Sequence, residues 1–171
     1  MFIYVVFKYY QRLSASARRT YDASDAIETV EVPGAAELWP AVADIRSALE
    51  TERRAKLEEG CQRLADSLFG QLDAPLLRVR VLAARPSHDW GELHGLYEPE
   101  DGESNTARVT VWMRTAQQRR VVAFKTFLRT LVHEMLHHLD YEHFGLADSF
   151  HTEGFFKRES EMTRQLLEAG E

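Results

Sequence analysis

Apolar side chains recur at helical spacing in the first half of the chain. Between Leu38 and Leu72 they fall three or four residues apart, with a charged segment from Glu50 to Lys56 between two runs. This stripe predicts amphipathic helices whose charged segment faces water. Ser14 is placed to cap an earlier helix through Ala23, since a serine hydroxyl can accept a backbone N–H of the first turn. Residues 1–75 are therefore predicted to form an N-terminal helical part.

Alternating apolar and polar residues in the second half predict strands. Three short segments have this pattern or a glycine-interrupted version of it: Leu76–Ala83, Trp90–Tyr97 and Ala107–Met113. Helical spacing returns from Val121 to Tyr141 and again from Thr152 to Ala169. Residues 76–171 are thus predicted to form a small three- or four-stranded sheet packed on these two helices. Together with the helical first part, this order gives an α+β fold.

Length and composition agree with a single domain over residues 1–171. The formal net charge of −6 argues against nucleic acid as the main partner, because neutralising phosphates requires clustered lysines and arginines. Cys61 is the one cysteine, which excludes an intrachain disulfide framework and a zinc site built from several cysteines.

The apolar segment Met1–Phe7 does not direct the chain to a membrane. It ends at Lys8, follows no positively charged residues, and falls far short of the roughly 20 apolar residues that a membrane-spanning helix needs. We predict a buried strand or a packed arm here. We also expect a cytoplasmic protein, which suits a reduced cysteine.

The candidate chemistry concentrates in the long helix, where four of the seven histidines lie from His133 to His143. His133, Glu134 and His137 form the pattern H-E-x-x-H. Residues four apart share a helix face, so both histidines can direct a ring nitrogen at one metal ion. Zinc is the expected ion for imidazole ligands with an open position, and Glu134 is placed to act as general base toward a water. Met135 and Leu136, two of the three residues between the candidate ligands, are apolar, which argues against a merely solvated histidine-rich helix.

The spacing leaves the third protein ligand open. His143 would extend the motif into a run that resembles the metzincin pattern, but Asp140 stands where that pattern has a chain-turning glycine. His151 follows a loop and opens the last helix. Glu153 or Glu159 would supply a carboxylate instead. We favour His151.

The arrangement resembles the SprT-like class of zincin metallopeptidases. In that class a third histidine follows a loop, opens the next helix and begins an H-x-x-x-F pattern, which His151 and Phe155 match. The resemblance covers Thr106–Leu167 and implies a zincin-like domain that holds Zn²⁺ with the two motif histidines and His151. It further implies hydrolysis of a peptide or protein substrate with Glu134 as general base. It also implies that Ala107–Met113 is an edge strand that pairs with the peptide.

Four other residues lie near the motif or could contribute to its chemistry. Asp140 shares a helix face with the motif histidines, so it could accept a hydrogen bond from a ligand imidazole and fix its tautomer, or be an ordinary polar residue at the helix end. His138 lies on another face and is expected to be solvated. Tyr97 and Tyr141 could donate a hydrogen bond to a developing oxyanion, although aromatic packing is the expected role.

The motif is compatible with several functions, of which a zinc metallopeptidase is the main prediction. A non-catalytic metal-binding module on the same scaffold is an alternative, although a purely structural site has no need of Glu134. A metzincin-like peptidase that uses His143 and a hydrolase of a small amide are further alternatives.

Overall fold

The computed structural model describes residues 7–89, 91–103 and 105–168. Its elements follow in the order α1 (Ala15–Asp25), α2 (Trp39–Glu50), α3 (Arg54–Gln71), β1 (Arg78–Ala84), β2 (Ser87–His88), β3 (Gly91–Glu92), β4 (Gly95–Glu98), β5 (Arg108–Arg114), α4 (Phe124–Glu142) and α5 (Glu153–Glu168). Short 3₁₀ turns at Lys8–Arg12 and Ala35–Leu38 precede α1 and α2. This order confirms the α+β class. The strand or arm predicted at Met1–Phe7 falls, except for Phe7, outside the described residues, as does Trp90.

The main sheet has three strands in the order β1–β5–β4. β5 pairs in parallel with β1, where Arg78 lies opposite Arg108, and antiparallel with β4, where Gly95 lies opposite Val111. The expectation that Ala107–Met113 forms an edge strand is therefore wrong, because this strand is central. Five consecutive residues of β5 are buried, which suits a strand with partners on both sides, whereas β4 is short and half exposed, as edge strands commonly are.

Helix α3 packs against β1, and helix α4 packs against β4 and β5. On β1, Arg78 and Arg80 are exposed while Val79 and Val81 are buried, so alternate side chains face the helices. On α4, ten residues are buried, and its apolar positions join those valines in one core. This packing fixes α4, and with it the motif, beneath β4 and β5.

The N-terminal helices follow the predicted pattern with one interruption. α2 and α3 bury the apolar stripe against each other, and the chain breaks at Thr51–Arg53, where Glu52 has φ 55°. The predicted cap of α1 is confirmed, since Ser14 Oγ accepts the backbone N–H of Ala17 at 3.1 Å. Among the described residues, no helix is both long and apolar enough to cross a lipid bilayer.

The segment between α4 and α5 folds back toward the motif. α4 continues to Glu142, and Gly145 then takes φ 63°, a left-handed conformation that favours glycine and turns the chain. The N–H of Leu146 donates to the carbonyl of Asp140 at 2.8 Å, which closes the turn. At the start of α5, Thr152 Oγ1 accepts the N–H of Phe155 at 2.9 Å as a helix cap.

Candidate metal centre

Three imidazoles converge at one point between α4, α5 and β4. His133 and His137 lie one turn apart on α4, and His151 lies in the loop just before α5. The Nε2 atom of His151 is 3.0 Å from that of His133 and 3.1 Å from that of His137. Three nitrogens around a tetrahedral zinc ion, each at its usual bond length, lie about 3.3 Å apart. The three histidines therefore fit a zinc ion with small adjustments.

Hydrogen bonds on the far side of two rings indicate where their protons lie. His133 Nδ1 is 2.8 Å from Glu159 Oε1, and because a carboxylate accepts, the proton is assigned to Nδ1. His137 Nδ1 is 2.6 Å from Ser149 Oγ, whose own proton is donated to Asp140 at 2.7 Å. The proton of His137 therefore also lies on Nδ1.

This assignment leaves the Nε2 atoms of His133 and His137 with lone pairs that both point at the Nε2 of His151. One imidazole proton cannot satisfy two such lone pairs in good geometry, whereas a cation between the three nitrogens would satisfy all of them. The three imidazoles thus form a donor set that could hold a metal ion. Within the described part of the chain, these three residues are the group of His, Cys, Asp or Glu that could hold an ion.

Phe155 packs against all three candidate ligands. Its ring centroid is 5.0 Å from that of His133, 4.9 Å from that of His137 and 5.2 Å from that of His151. Burial lowers the pKa of His137 to about 3, and it also lowers the pKa of His151, with the neighbouring His133 adding to both effects. These two rings therefore stay neutral at pH 7, which is the state that binds metal.

Glu134 lies beside the converging imidazoles, at the floor of a cleft. The residue is 8% exposed, and burial raises the pKa of its carboxyl to about 7. A cation in the site would lower that pKa again, because a nearby positive charge favours the ionised form. Gly95 of β4 passes so close that a Cβ atom there would lie 2.7 Å from Glu134 Cγ. The absence of a side chain at Gly95 thus leaves the space that this carboxylate occupies.

The cleft above these residues has a volume of about 630 Å³. β4 forms one wall and α4 the other, and both Glu134 and the imidazoles open into it. Tyr97 and Tyr141 stack at 6.0 Å, with the Tyr97 hydroxyl 3.1 Å from His138 Nδ1 and the Tyr141 hydroxyl donating to Asp148 at 3.1 Å. Both tyrosines thus pack as expected and line one end of the cleft.

The N-terminal segment holds the third candidate ligand. Tyr9 Oη donates to the backbone carbonyl of His151 at 2.9 Å. Asp25 Oδ1 accepts the N–H of Gly154 at 2.8 Å, and a Cβ at Gly154 would lie 2.8 Å from the carbonyl carbon of Asp25. The end of α1 therefore sits directly on the beginning of α5. Sequence reasoning assigned no role to this segment, because pairing between residues more than 120 positions apart leaves no local signal.

A buried ion pair joins α4 to α5 behind the imidazoles. Asp140 and Arg158 are both fully buried and lie 2.9 Å apart. Arg158 also donates to the backbone carbonyls of Ser24 and Ile27, at 2.6 and 2.5 Å. Asp140 thus accepts from Ser149, and through it orients His137, rather than touching an imidazole itself. The sequence does not predict this bridge, because Ser149 is an ordinary loop residue and the turn at Gly145 decides which residues it contacts.

The other candidates for third ligand lie elsewhere. His143 is exposed at the end of α4, with its ring against Phe144. Glu153 pairs with Lys157 at 3.4 Å, and Glu159 faces the outer nitrogen of His133 instead of the point of convergence.

The expectation that His138 is solvated is wrong. It is 2% exposed, accepts from the Tyr97 hydroxyl through Nδ1, and donates through Nε2 to the carbonyl of Pro75 at 2.6 Å. A histidine with both ring nitrogens satisfied can be buried in the core without large cost.

Comparisons of the chain with models of known protein families, with curated proteins and with solved structures gave no match.

Proposed function

We propose that the protein is a zinc-dependent metallopeptidase. The observation that carries this proposal is the convergence of His133, His137 and His151, with Nε2 lone pairs directed inward, beside the buried carboxyl of Glu134. A structural zinc site is normally closed by four protein ligands, whereas a catalytic one keeps a position open to solvent. Here three ligands face an open cleft, and the fourth neighbour is a group suited to proton transfer.

A bound zinc ion would supply a Lewis acid that polarises the scissile carbonyl and makes water a nucleophile near pH 7. Glu134 would accept the proton of the attacking water and pass it to the nitrogen of the leaving amine. Burial raises the pKa of this carboxyl in the metal-free site, and a bound cation would lower it again, which favours the ionised form that accepts a proton from water.

The free edge of β4 supports the choice of a peptide as substrate. β4 pairs with β5 on one side, and its residues Leu96 and Tyr97 line the cleft on the other. An extended peptide could add to this edge through backbone hydrogen bonds, which would bring its carbonyl groups over Glu134. The resemblance implies this role for Ala107–Met113, but that strand is central, so we propose β4 in its place.

The test compares the native chain with three single variants for zinc content and peptide cleavage. Glu134→Gln should keep one zinc ion per chain and lose at least 100-fold in kcat, because one general base contributes about 10²–10⁴. His151→Ala should lose zinc, while His143→Ala, the matched control at an exposed histidine, should keep both zinc and activity.

Two results would contradict the proposal. Native protein purified from zinc-containing medium without bound metal would remove the metal site. Zinc-loaded native protein that cleaves no peptide in a broad mixture would instead favour a non-catalytic metal-binding module.

A further inference from the structure

β4 and α4, which form the two walls of the cleft, run in the same direction from amino to carboxyl end. Gly95 of β4 lies against Glu134, and two residues further on Tyr97 lies against His138 and Tyr141. Moving from the amino to the carboxyl end of β4 therefore also means moving from the amino to the carboxyl end of α4. A peptide that pairs antiparallel with β4, the slightly more stable arrangement, would point its own carboxyl end toward the beginning of α4.

A positively charged side chain, Arg129, lies at that end of the cleft. Arg129 precedes His133 by one helical turn, lines the cleft, and has a side chain that is 50% exposed. Its neighbour Thr130 also lines the cleft. Among the described residues that line the cleft, Arg129 is the one lysine or arginine. At the same end, both carboxylate oxygens of Glu92 already accept hydrogen bonds, one from Arg85 and one from a backbone N–H.

Two hydrogen bonds orient the Arg129 guanidinium, and two of its three nitrogens are left to bind a ligand. Both of its side-chain hydrogen bonds come from one nitrogen, Nη1, which reaches Glu159 at 3.2 Å and Ser160 at 3.3 Å. Nη2 and Nε have no hydrogen-bond partner among the residues that the structure describes. A guanidinium offers a planar fork of donors that matches a carboxylate, and one that is already oriented loses less entropy on binding.

We propose that Arg129 binds a carboxylate on the carboxyl-terminal side of the scissile bond. The proposal rests on the peptidase function and names its substrate class. Arg129 precedes Glu134 by five residues, about 7.5 Å along the helix, which corresponds to roughly two residues of an extended peptide. The carboxylate therefore belongs to one of the first three residues after the scissile bond, either as an Asp or Glu side chain or as the terminal carboxylate.

Peptide binding to zinc-loaded Glu134→Gln tests this without turnover. The probes are variants of one fluorescent parent peptide with an amidated carboxyl terminus. Each carries Asp, Asn or Lys at one of the three positions on either side of the central bond. A further peptide without the acidic residue would end in a free carboxylate at the second position after the bond, which separates the two sources of the charge.

We expect Asp to bind about fivefold to tenfold more tightly than Asn on the carboxyl-terminal side alone, in line with a partly exposed, well-oriented ion pair. The additional change Arg129→Gln should abolish this preference, and Arg129→Glu should reverse it in favour of Lys. Arg63→Gln, at an exposed arginine on α3 outside the cleft, is the matched control and should leave it unchanged. Zinc affinity is measured for each variant, because Arg129 contacts Glu159.

Three results would overturn the inference: a preference for acid on the amino-terminal side, a preference that survives Arg129→Gln, or no binding of any acidic peptide. Cleavage by the native chain that ignores charge would refute the role of Arg129 and leave the peptidase proposal standing. Charge-dependent binding that Arg129→Gln abolishes, without any cleavage by the native chain, would refute the peptidase proposal and show only that Arg129 binds a carboxylate in the cleft.

Discussion

Replacing Gly95 with alanine should displace Glu134, the proposed general base, without lowering the stability of the fold. The new Cβ would lie 2.7 Å from Glu134 Cγ and 2.9 Å from its Cδ, and closer still to Oε1. Carbon atoms in contact are about 3.5–4.0 Å apart, so the carboxylate must retreat by about 1 Å. Gly95 is not among the glycines with positive φ, so alanine fits the backbone and the strand should not lose stability.

A displacement of about 1 Å in a catalytic group can cost roughly 100-fold in rate, which corresponds to about 2.7 kcal/mol. We therefore expect kcat for peptide cleavage to fall about 100-fold in Gly95→Ala, while zinc content and melting temperature stay at the native values. Gly102→Ala is the matched control, since a Cβ there meets nothing within 4 Å. Full activity in Gly95→Ala would refute the placement of Glu134, and loss of zinc would show that the strand, not the carboxylate, had moved.

Three further predictions concern the groups around the metal centre. Asp140→Ala should destabilise the protein by about 3–5 kcal/mol in urea unfolding, because it leaves a buried guanidinium on α5 without its partner; a loss under 1 kcal/mol would contradict this. Tyr9→Phe removes one hydrogen bond to the carbonyl of His151, so zinc affinity in a chelator competition should fall severalfold while the metal-free protein loses only about 1 kcal/mol; unchanged affinity would show that the loop needs no such support. The third prediction concerns pH. In the metal-free state, the low pKa of His137 means that unfolded chains bind its proton below pH 6.5 and folded chains do not, so stability falls as pH falls. The raised pKa of Glu134 acts in the opposite direction between pH 7 and 4.5. The free energy of unfolding of Glu134→Gln should therefore fall between pH 6.5 and 5, by up to about 1.4 kcal/mol per pH unit from His137. That of the native chain should fall less. The same pH dependence in both proteins would refute the opposing effects of His137 and Glu134.

The helices and the pairing of His133 with His137 could be predicted, because the sequence patterns that indicate them span only neighbouring residues. The cap at Ser14, the stripe through α2 and α3, and the four-residue spacing of His133 and His137 depend on residues within one or two helical turns. His151 was favoured from a short downstream pattern, and the structure places it with the other two imidazoles.

The sheet order and the buried polar groups could not be predicted, because their partners are distant in the chain. Alternation in β5 predicts a strand but does not say which strands lie beside it, and the edge position that the resemblance implies for β5 is wrong. His138 resembled a solvated residue because its partners, the Tyr97 hydroxyl and the Pro75 carbonyl, lie 41 and 63 positions away. A polar residue on a helix is buried when such partners exist, and sequence spacing does not reveal them.

The sequence distance across the metal centre has a consequence for the growing chain. Tyr9 and His151 lie 142 positions apart, and Asp25 and Gly154 lie 129 apart. During synthesis, the helix bearing His133 and His137 can form before α5 has left the ribosome, but the third imidazole has no fixed place until then. A nascent chain would therefore pass through a stage with two ligands and weak metal affinity. If the site binds metal as we propose, tight binding would mark the moment at which α1 and the residues just before it have met the start of α5.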